Sequence, residues 1–330
     1  MEGMSDIDIW SAEFRGGQWS EAVRRSQDPS RSEQNPQLFY TPQGEEWLLY
    51  TAQKHGQQDT AVVRVQKDKG VVAQLFAEAG IFIRQPLQVL ANGDWLLPAY
   101  YCVGEPGVAW RGDHDVSFVM RSSDQGATWQ QSLIPASTGL VHPNIVQGGD
   151  QLYCFFRSRY ADWVYRSHSS DEGKTWSAPV PTDMPNNNSS IQVIRLHSGQ
   201  LAMVCNPTQA SDTSPRRESL YDELPGGEGG GEGEGQSGGD VMAATQASKP
   251  AIWGTPRAPM ILALSSDQGM SWPTQYLIED GDGNCLSNNS KEAKNRELSY
   301  PSVVQDAEGI VHIAYTRFRQ TIRTVSLRLN

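Results

Sequence analysis

One octapeptide occurs three times in the sequence, and this repeat constrains the fold more than any other feature. The copies fit the pattern S-S-D-x-G-x-[ST]-W and span Ser122–Trp129, Ser169–Trp176 and Ser265–Trp272. Their aspartates lie 47 and then 96 residues apart, and 96 is close to twice 47. A fixed period in the forties is typical of the blades of a β-propeller rather than of a helical solenoid.

The chemistry of the octapeptide predicts a tight hairpin. Its glycine supplies a positive φ, and its Asp and Ser or Thr side chains can bond the backbone of the turn. Each copy follows an apolar, strand-like run, namely VSFVMR, WVYRSH or MILAL. Each copy ends in a tryptophan that can pack as the chain enters the next strand, so the unit predicted is strand, turn, strand.

A second element recurs ahead of these hairpins. It consists of a short apolar run, a turn centred on glycine, and a more apolar run, which is the pattern of a hairpin. We call it the inner pair. Its five copies begin at Pro36, Pro86, Pro143, Ser190 and Pro301. An inner pair and an outer hairpin together predict a four-stranded blade.

The blade count predicted from these repeats is six. Trp19, in GGQWSEA, resembles the end of a degenerate hairpin and precedes Trp129 by about two periods. Residues 6–25 are therefore interpreted as the outer half of a first blade, ahead of the five blades with visible inner pairs. This predicts that strands from the start of the chain close the ring or that the first blade is incomplete.

Composition and charge narrow the class of protein. The chain has 330 residues, a formal net charge of -11 and a pI of about 5.0. Nucleic-acid binding requires a basic surface, so a nucleic-acid partner is not expected. A small anionic ligand needs only a local cluster of arginines. Four widely spaced cysteines show no metal-binding spacing, and neither a metal nor an organic cofactor is expected.

Two further features concern the organisation and location of the chain. Residues 207–250 contain PGGEGGGEGEGQSGG and predict a disordered Gly- and Glu-rich insertion within a single propeller domain spanning 1–330. No apolar run approaches the ~20 residues of a membrane span. The first residues show no signal-peptide pattern. We therefore expect no membrane partner. The expected location is cytoplasmic or unknown, and the oligomeric state is left open.

On these octapeptides and inner pairs, the chain resembles the BNR/Asp-box superfamily, and more closely the sialidase-like proteins described as predicted neuraminidases. The resemblance covers nearly all of the chain outside the insertion, including VHPNIV, FFRSRYADWVYRS, PNNNSSIQ, WGTPRAPM and NRELSYPSV. It implies an all-β propeller whose Asp boxes lie at the blade periphery. It also implies an exo-glycosidase that releases a terminal acidic sugar, sialic acid or a related one.

The ligand site of a propeller normally lies at one end of the central channel, so polar residues at the ends of the inner pairs are candidates. Arg84, in IFIRQPL, resembles the R-x-P arginine with which sialidases bind the carboxylate of the sugar. Asp113 and His114 lie in RGDHD, where the resemblance implies a catalytic acid. His142, which precedes the third inner pair, is a second acid/base candidate.

The later blades supply the remaining candidates. The resemblance implies that Tyr300 is the nucleophile, and Glu297 is its candidate base; sialidases with a tyrosine nucleophile depart from the usual two-carboxylate mechanism. Arginines offer a planar fork for a carboxylate, and amides suit sugar hydroxyls. Arg157 and Arg159 end an inner strand, and we expect them to point in opposite directions, one of them inward. The candidate substrate-binding residues are Arg84, Arg157, Asn187, Arg257 and Arg317.

Two other functions fit the same residues. A polysaccharide lyase would use His142 or Tyr300 to remove a proton α to a uronate carboxylate that arginines neutralise. Alternatively, the propeller would bind an acidic carbohydrate without processing it. An asparagine-rich turn at 186–188 and a solvated turn at 113–115 are the plain structural interpretations of those segments.

Overall fold

The computed structural model describes residues 5–54, 56–104, 110–211, 249–281, 283–285 and 296–329. Within this part of the chain every regular element is a β-strand, and the strands form antiparallel sheets arranged as the blades of a propeller. None of these elements is a helix able to cross a membrane. Most of the predicted insertion, residues 212–248, lies outside the described residues.

Five sheets form the blades, and their strands follow chain order. The first blade contains β5 (Arg31–Tyr40), β6 (Glu46–Lys54), β7 (Gln57–Lys67) and β8 (Val72–Gln74). The second contains β9 (Ile81–Ile83), β10 (Gln88–Val89), β11 (Trp95–Tyr101), β12 (Val116–Ser122) and β13 (Gln130–Leu133). The third contains β14 (Leu140–Gly148), β15 (Gln151–Ser158), β16 (Trp163–Ser169) and β17 (Val180–Pro185). In the second blade, β9 and β10 are two segments that pair with the same strand, β11.

The last two blades surround the region of the insertion and the end of the described chain. The fourth blade contains β18 (Gln192–Arg195), β19 (Leu201–Cys205), β20 (Met260–Ser265) and β21 (Thr274–Glu279). The fifth contains only β22 (Leu298–Gln305), β23 (Ile310–Arg317) and β24 (Thr321–Arg328). All five predicted inner pairs are confirmed as the first two strands of a blade.

The prediction of six blades is wrong, because residues 6–25 do not form part of a further blade sheet. They form two ladders of two residues each, β1 (Trp10–Ser11) with β4 (Val23–Arg24) and β2 (Phe14–Arg15) with β3 (Gln18–Trp19). The hairpin pattern around Trp19 is real. However, these strands have no inner pair beside them among the described residues. Instead, Ile9 packs into a cluster on the first blade.

The hydrophobic core is divided into clusters that lie between consecutive blades. Trp47 of the first blade and Trp95 of the second belong to one cluster, with their rings 5.2 Å apart in an edge-to-face arrangement. Similar clusters join the second blade to the third, the third to the fourth, and the fourth to the fifth. This packing fixes the angle between neighbouring blades and therefore the shape of the channel.

Among the described residues, no hydrophobic cluster joins the fifth blade to the first. A pocket of about 1080 Å³ extends along the inner strands of all five blades, and Leu48 of the first blade and Val325 of the fifth also line it. Trp10 and Trp19 of the segment ahead of the first blade line the same pocket, and both side chains are more than half exposed. In the part of the chain that the structure describes, a hydrophobic cluster therefore joins the fifth blade to the fourth blade only.

Candidate active site

The first strand of several inner pairs contains a β-bulge at the same end of the channel. The register shifts between Gln34 and Gln37 in the first blade, between Val141 and Asn144 in the third, and between Ser299 and Ser302 in the fifth. Bulges re-aim side chains and are frequent beside active sites. The residues that follow Gln34, Val141 and Ser299 are Asn35, His142 and Tyr300, and we call these three the bulge residues.

The bulge residues have a left-handed backbone. The φ angles are 57° at Asn35, 54° at His142 and 52° at Tyr300, and Asn188 ahead of the fourth inner pair has a φ of 58°. Such a conformation costs roughly 1–3 kcal/mol at a non-glycine residue and is concentrated at functional sites. For a residue as bulky as tyrosine it is uncommon. Asn35, His142 and Tyr300 are each followed by proline. Their left-handed backbone places the three side chains at the channel.

A small cavity of about 40 Å³ lies where these bulges meet. We call it the channel cavity. It is lined by Gln34, Asn35, Gln53, Gln58, Phe82, Tyr100, Cys102, Trp110, His142, Arg157, Arg159, Trp253 and Tyr300. A site for one water needs roughly 10–15 Å³ of such volume, so the cavity has room for about three waters. This is enough for a carboxylate group.

Arg157 is the arginine of the cavity that is best placed for a ligand. Its side chain is buried, and its Nε donates a hydrogen bond of 2.7 Å to the Asn188 side-chain oxygen. Its terminal nitrogens make no hydrogen bond to any described residue. Burial, together with the neighbouring positive charges of Arg159 and Arg257, lowers the pKa of Arg157 to about 9. A carboxylate in the cavity would compensate for this unpaired buried charge.

Arg159 also lines the cavity but is already paired. Its Nη2 and Nε donate to one oxygen of the fully buried Asp115, at 2.7 and 3.1 Å. Its guanidinium lies 5.1 Å from the Trp110 ring and 4.9 Å from the Trp253 ring, within the range of cation–π attraction. The expectation that Arg157 and Arg159 point to opposite sides is wrong, because both side chains line the channel cavity; residues two positions apart on a strand share a face.

His142 is a buried, neutral imidazole of the cavity. Its Nδ1 lies 3.1 Å from the Ser190 hydroxyl, and its ring packs against Tyr100 at 5.3 Å. Burial lowers the pKa of His142 well below its usual 6.5, and the nearby arginines lower it further. At neutral pH the imidazole therefore has one nitrogen able to accept a proton.

Tyr300 is flanked by two arginines. The guanidinium carbons of Arg84 and Arg257 lie 5.8 and 5.4 Å from its ring centroid. Arg84 also approaches the backbone of the same bulge, since its Nη2 donates to the Pro301 carbonyl at 3.4 Å. Arg84, Arg157, Arg257 and Tyr300 thus come from four different blades or loops and meet at one end of the channel.

Glu297 holds two of the surrounding arginines. Its carboxylate is buried and accepts hydrogen bonds from Arg257 at 3.2 Å, Arg319 at 3.0 Å and the Ser299 hydroxyl at 2.7 Å. Burial by itself raises the pKa of Glu297, but the two arginines and Ser299 outweigh it and hold the pKa at about 2. No hydrogen bond joins this carboxylate to Tyr300 in the part of the chain that the structure describes.

The asparagines at 186–188 form a bonded turn. Asn187 is buried, donates to the Pro256 carbonyl at 2.8 Å and accepts from the Ser189 hydroxyl at 2.5 Å. Asn188 donates to the Ile252 carbonyl at 2.7 Å while it orients Arg157. The turn therefore fixes the segment that carries Trp253 and Arg257 over the end of the channel.

Of the ten predicted site residues, only His142, Arg157 and Tyr300 line the channel cavity. Asn187, Arg257 and Glu297 line a second small pocket that shares Trp253 with it, and Arg84 approaches the Tyr300 ring.

The other three predicted site residues lie elsewhere. Asp113 and His114 occupy a partly exposed turn next to Asp115, with 4.0 Å between the His114 Nε2 and an Asp113 oxygen. Arg317 lies between the fourth and fifth blades, where its Nε donates to Glu279 at 2.7 Å. No cluster of His, Cys, Asp and Glu able to hold a metal ion occurs among the described residues.

Sequence reasoning missed several residues of the cavity. Asn35 precedes Pro36 just as His142 and Tyr300 precede their prolines, so the repeated x-Pro pattern could have identified it. Trp110 and Trp253 carry no such signal, because each reaches the cavity on a loop far from the other in sequence.

Comparison with known proteins agrees with this architecture. A family model described as BNR repeat-like domain matches residues 1–313. No curated protein matches the chain. Among solved structures, a Hadza microbial sialidase, Hz136, superposes with a TM-score of 0.67 at 12% identity, covering 98% of this chain and 59% of its own. The NanB sialidase of Streptococcus pneumoniae gives a TM-score of 0.59 at 10% identity, with coverages of 96% and 62%.

A protein of unknown function from Dyadobacter fermentans shares the fold as well, with a TM-score of 0.61 at 13% identity over 94% of this chain and 79% of its own. At these identities the likeness concerns the fold alone. The chain spans about three fifths of the length of the two sialidases. Because the family model covers nearly the whole sequence, the chain belongs to the BNR repeat-like domain family.

Proposed function

We propose that this protein is a sialidase-like exo-glycosidase that releases a terminal acidic sugar, sialic acid or a related one, from glycans. The observation that carries the proposal is the meeting of Arg157, His142 and Tyr300 in one small cavity at the end of the propeller channel. This cavity has the size of a carboxylate, so it would bind the acid group while the sugar ring lies outside.

The arginines supply the recognition. Arg157 would make the direct bonds to the carboxylate, because its terminal nitrogens face no other described acceptor. Arg84 and Arg257 add positive charge on either side of Tyr300. A local potential of this kind attracts an anion even on a protein of net charge -11.

The proposed chemistry uses Tyr300 as the nucleophile. Its hydroxyl oxygen would attack the anomeric carbon while His142 accepts the hydroxyl proton, and the bond to the leaving oxygen would break. That oxygen would take a proton from Asp113 or His114, on the turn beside Asp115. Water would then attack the anomeric carbon and give a proton to Asp113 or His114, while the bond to the Tyr300 oxygen breaks and that oxygen takes its proton back from His142. Glu297 would position Arg257 and not act as the base, because its oxygens are already bonded to Arg257, Arg319 and Ser299.

A lyase acting on uronate-containing oligosaccharides is the second candidate, and one observation favours it. His142 is neutral and surrounded by arginines. A neutral imidazole next to a neutralised carboxylate suits the removal of the α proton, with elimination of the group at the β carbon. Such a reaction leaves a carbon–carbon double bond conjugated with the carboxylate, which absorbs in the ultraviolet.

A single screen separates these functions. The protein is incubated with sialosides and with uronate oligosaccharides while released sugar and ultraviolet absorbance are followed. We expect released acidic sugar without new absorbance. New absorbance would show the lyase instead. Binding of these glycans with no product at all would leave a carbohydrate-binding propeller and contradict both enzymatic functions.

Matched variants test the assigned roles. Tyr300→Phe keeps the ring between the arginines and removes only the hydroxyl, so it should lower kcat at least 100-fold with little effect on KM. Arg157→Ala should raise KM at least 100-fold, because a buried charge-assisted pair with the ligand is lost. Arg317→Ala is the control, since that arginine bonds to Glu279 away from the cavity. Equal effects of Arg157→Ala and Arg317→Ala would contradict the assignment.

A further inference from the structure

The first blade contributes an amide to the channel cavity that nothing described so far uses. Asn35 lies at the same bulge position as His142 and Tyr300, and its φ of 57° matches theirs within a few degrees. All three side chains line the same cavity. The chain thus repeats one strained conformation in three blades, and two of the three residues carry the proposed chemistry.

The side chain of Asn35 differs from that of Asn188, the asparagine with a left-handed backbone ahead of the fourth inner pair. Asn188 is fully engaged, with its oxygen accepting from Arg157 and its nitrogen donating to Ile252. The Asn35 amide makes no hydrogen bond to any residue that the structure describes. Gln34, its neighbour in the cavity wall, makes none through its side chain within the same residues.

The chemistry of an amide restricts what Asn35 can bind. It is uncharged and carries both donors and an acceptor, so it complements a hydroxyl or an acetamido group rather than a carboxylate. The carboxylate has its own partners, because the arginines of the cavity come from the third blade, two blades further along the chain. One cavity therefore combines a cationic wall and a neutral amide wall.

We propose that Asn35 determines specificity by hydrogen-bonding a neutral hydroxyl or acetamido group of the same acidic sugar whose carboxylate Arg157 binds. This inference rests on the proposed function. It narrows the substrate class to acidic sugars that carry such a group on the side of the ring facing the first blade. A simple carboxylic acid would use only the cationic wall.

The test compares an acidic sugar with a bare carboxylate. N-acetylneuraminic acid and acetate are titrated separately into the full-length protein and followed by NMR. Asn35→Gly keeps the left-handed backbone and deletes the amide, so it should weaken sugar binding about tenfold, the effect of one lost hydrogen bond. It should leave acetate binding unchanged. Asn35→Asp should weaken the sugar further, because it adds a negative charge.

The control is Gln125→Gly. Gln125 is an exposed amide with a φ of 58° in an Asp-box turn, so the same change is made without touching the cavity. Arg157→Ala should weaken both ligands. If Asn35→Gly binds the sugar like the wild type while Arg157→Ala does not, the role of Asn35 is overturned and the proposed function stands. If the wild type binds no acidic sugar, the proposed function and the role of Asn35 both fail. Thermal melting of Asn35→Gly shows whether that variant has a folding defect.

Discussion

At the scale of single residues, the site contains a buried charge, that of Arg157, which does not stabilise the fold. Arg157 and His142 are both buried, and burial together with the positive charge of Arg157 lowers the pKa of His142. Leaving a buried guanidinium without a carboxylate opposes folding. Arg159, by contrast, has Asp115 as a partner. The unpaired arginine is thus the one that we assign to the ligand, and the paired one to the scaffold.

The pH dependence of stability should reveal the charge of Glu297. Its pKa is about 2 in the folded protein against 4.5 for the free group, so folding is favoured in full above pH 4.5 and the gain is lost as the pH falls towards 2. The linked free energy is on the order of 3 kcal/mol. We expect the free energy of unfolding, measured by urea denaturation, to fall over this range.

The variant Glu297→Gln isolates this contribution. It should be less stable than the wild type at pH 7 and should show a smaller fall in acid. Aspartates of the octapeptides, such as Asp171, also have pKa values of about 2 and contribute in the same direction. For this reason the difference between wild type and variant is the quantity to measure. Glu78→Gln, at an exposed position, is the control, and equal acid sensitivity of all three proteins would refute the argument.

At the scale of elements, the three octapeptides hold neighbouring blades together. In each, the first serine bonds to the aspartate and to the glycine N–H, and the aspartate bonds to the Ser or Thr that precedes the tryptophan. The hydrogen-bonded turn places its glycine against a side chain of the preceding blade. The contacts are Gly126 with Trp47, Gly173 with Leu96, and Gly269 with Phe155.

Gly269→Ala should therefore loosen the junction of the third and fourth blades. A Cβ at this position would lie 2.3 Å from the Phe155 ring, and φ is +83°. We expect a loss of about 3 kcal/mol in the free energy of unfolding from the clash and the backbone strain together. Gly149→Ala is the matched control, because its φ is +71° and nothing lies within 4 Å; about 1 kcal/mol is expected there. Equal losses in urea denaturation would show that strain alone matters.

The sequence predicts elements well wherever the pattern is local. The hairpins and inner pairs follow from turn residues and alternating apolar runs, and the bulge residues His142 and Tyr300 follow from their place ahead of proline. Contacts between distant segments have no such pattern. Glu297 meets Arg257 from 40 residues away and Arg319 from 22 residues away. The prediction that Glu297 is a base follows from the resemblance to sialidases, which gives no sign of these two arginines.

At the scale of the whole molecule, the blade count was the hardest feature to predict. Sequence repeats reveal the number of hairpins. A blade, however, forms only where an outer hairpin pairs with an inner pair. Residues 6–25 form hairpins, yet in the described structure Ile9 of this segment packs on the face of the first blade that points away from the second. No hydrophobic cluster among the described residues joins that face to the fifth blade, so the core of the ring has a gap there.

This gap makes the stability of the propeller uneven around the ring. Hydrophobic clusters join the third blade to both of its neighbours, whereas among the described residues the fifth blade shares such a cluster with the fourth only. Its outer strand, β24, is mostly exposed and pairs along one edge with β23. Regions with fewer buried contacts open locally at a lower free energy. We expect amides of residues 298–328 to exchange with deuterium faster than those of residues 140–185, measured by mass spectrometry of peptides from the native protein.

The same gap links stability to the proposed chemistry, since Tyr300 lies in β22 of the fifth blade while Arg157 lies in β15 of the third. If the fifth blade opens more often, Tyr300 leaves the cavity more often than Arg157 does. A carboxylated ligand bound between the two blades should then slow exchange in 298–328 more than in 140–185. The variant Arg157→Ala should abolish this protection, and equal protection of both blades would contradict the gap in the core of the ring as the source of the difference.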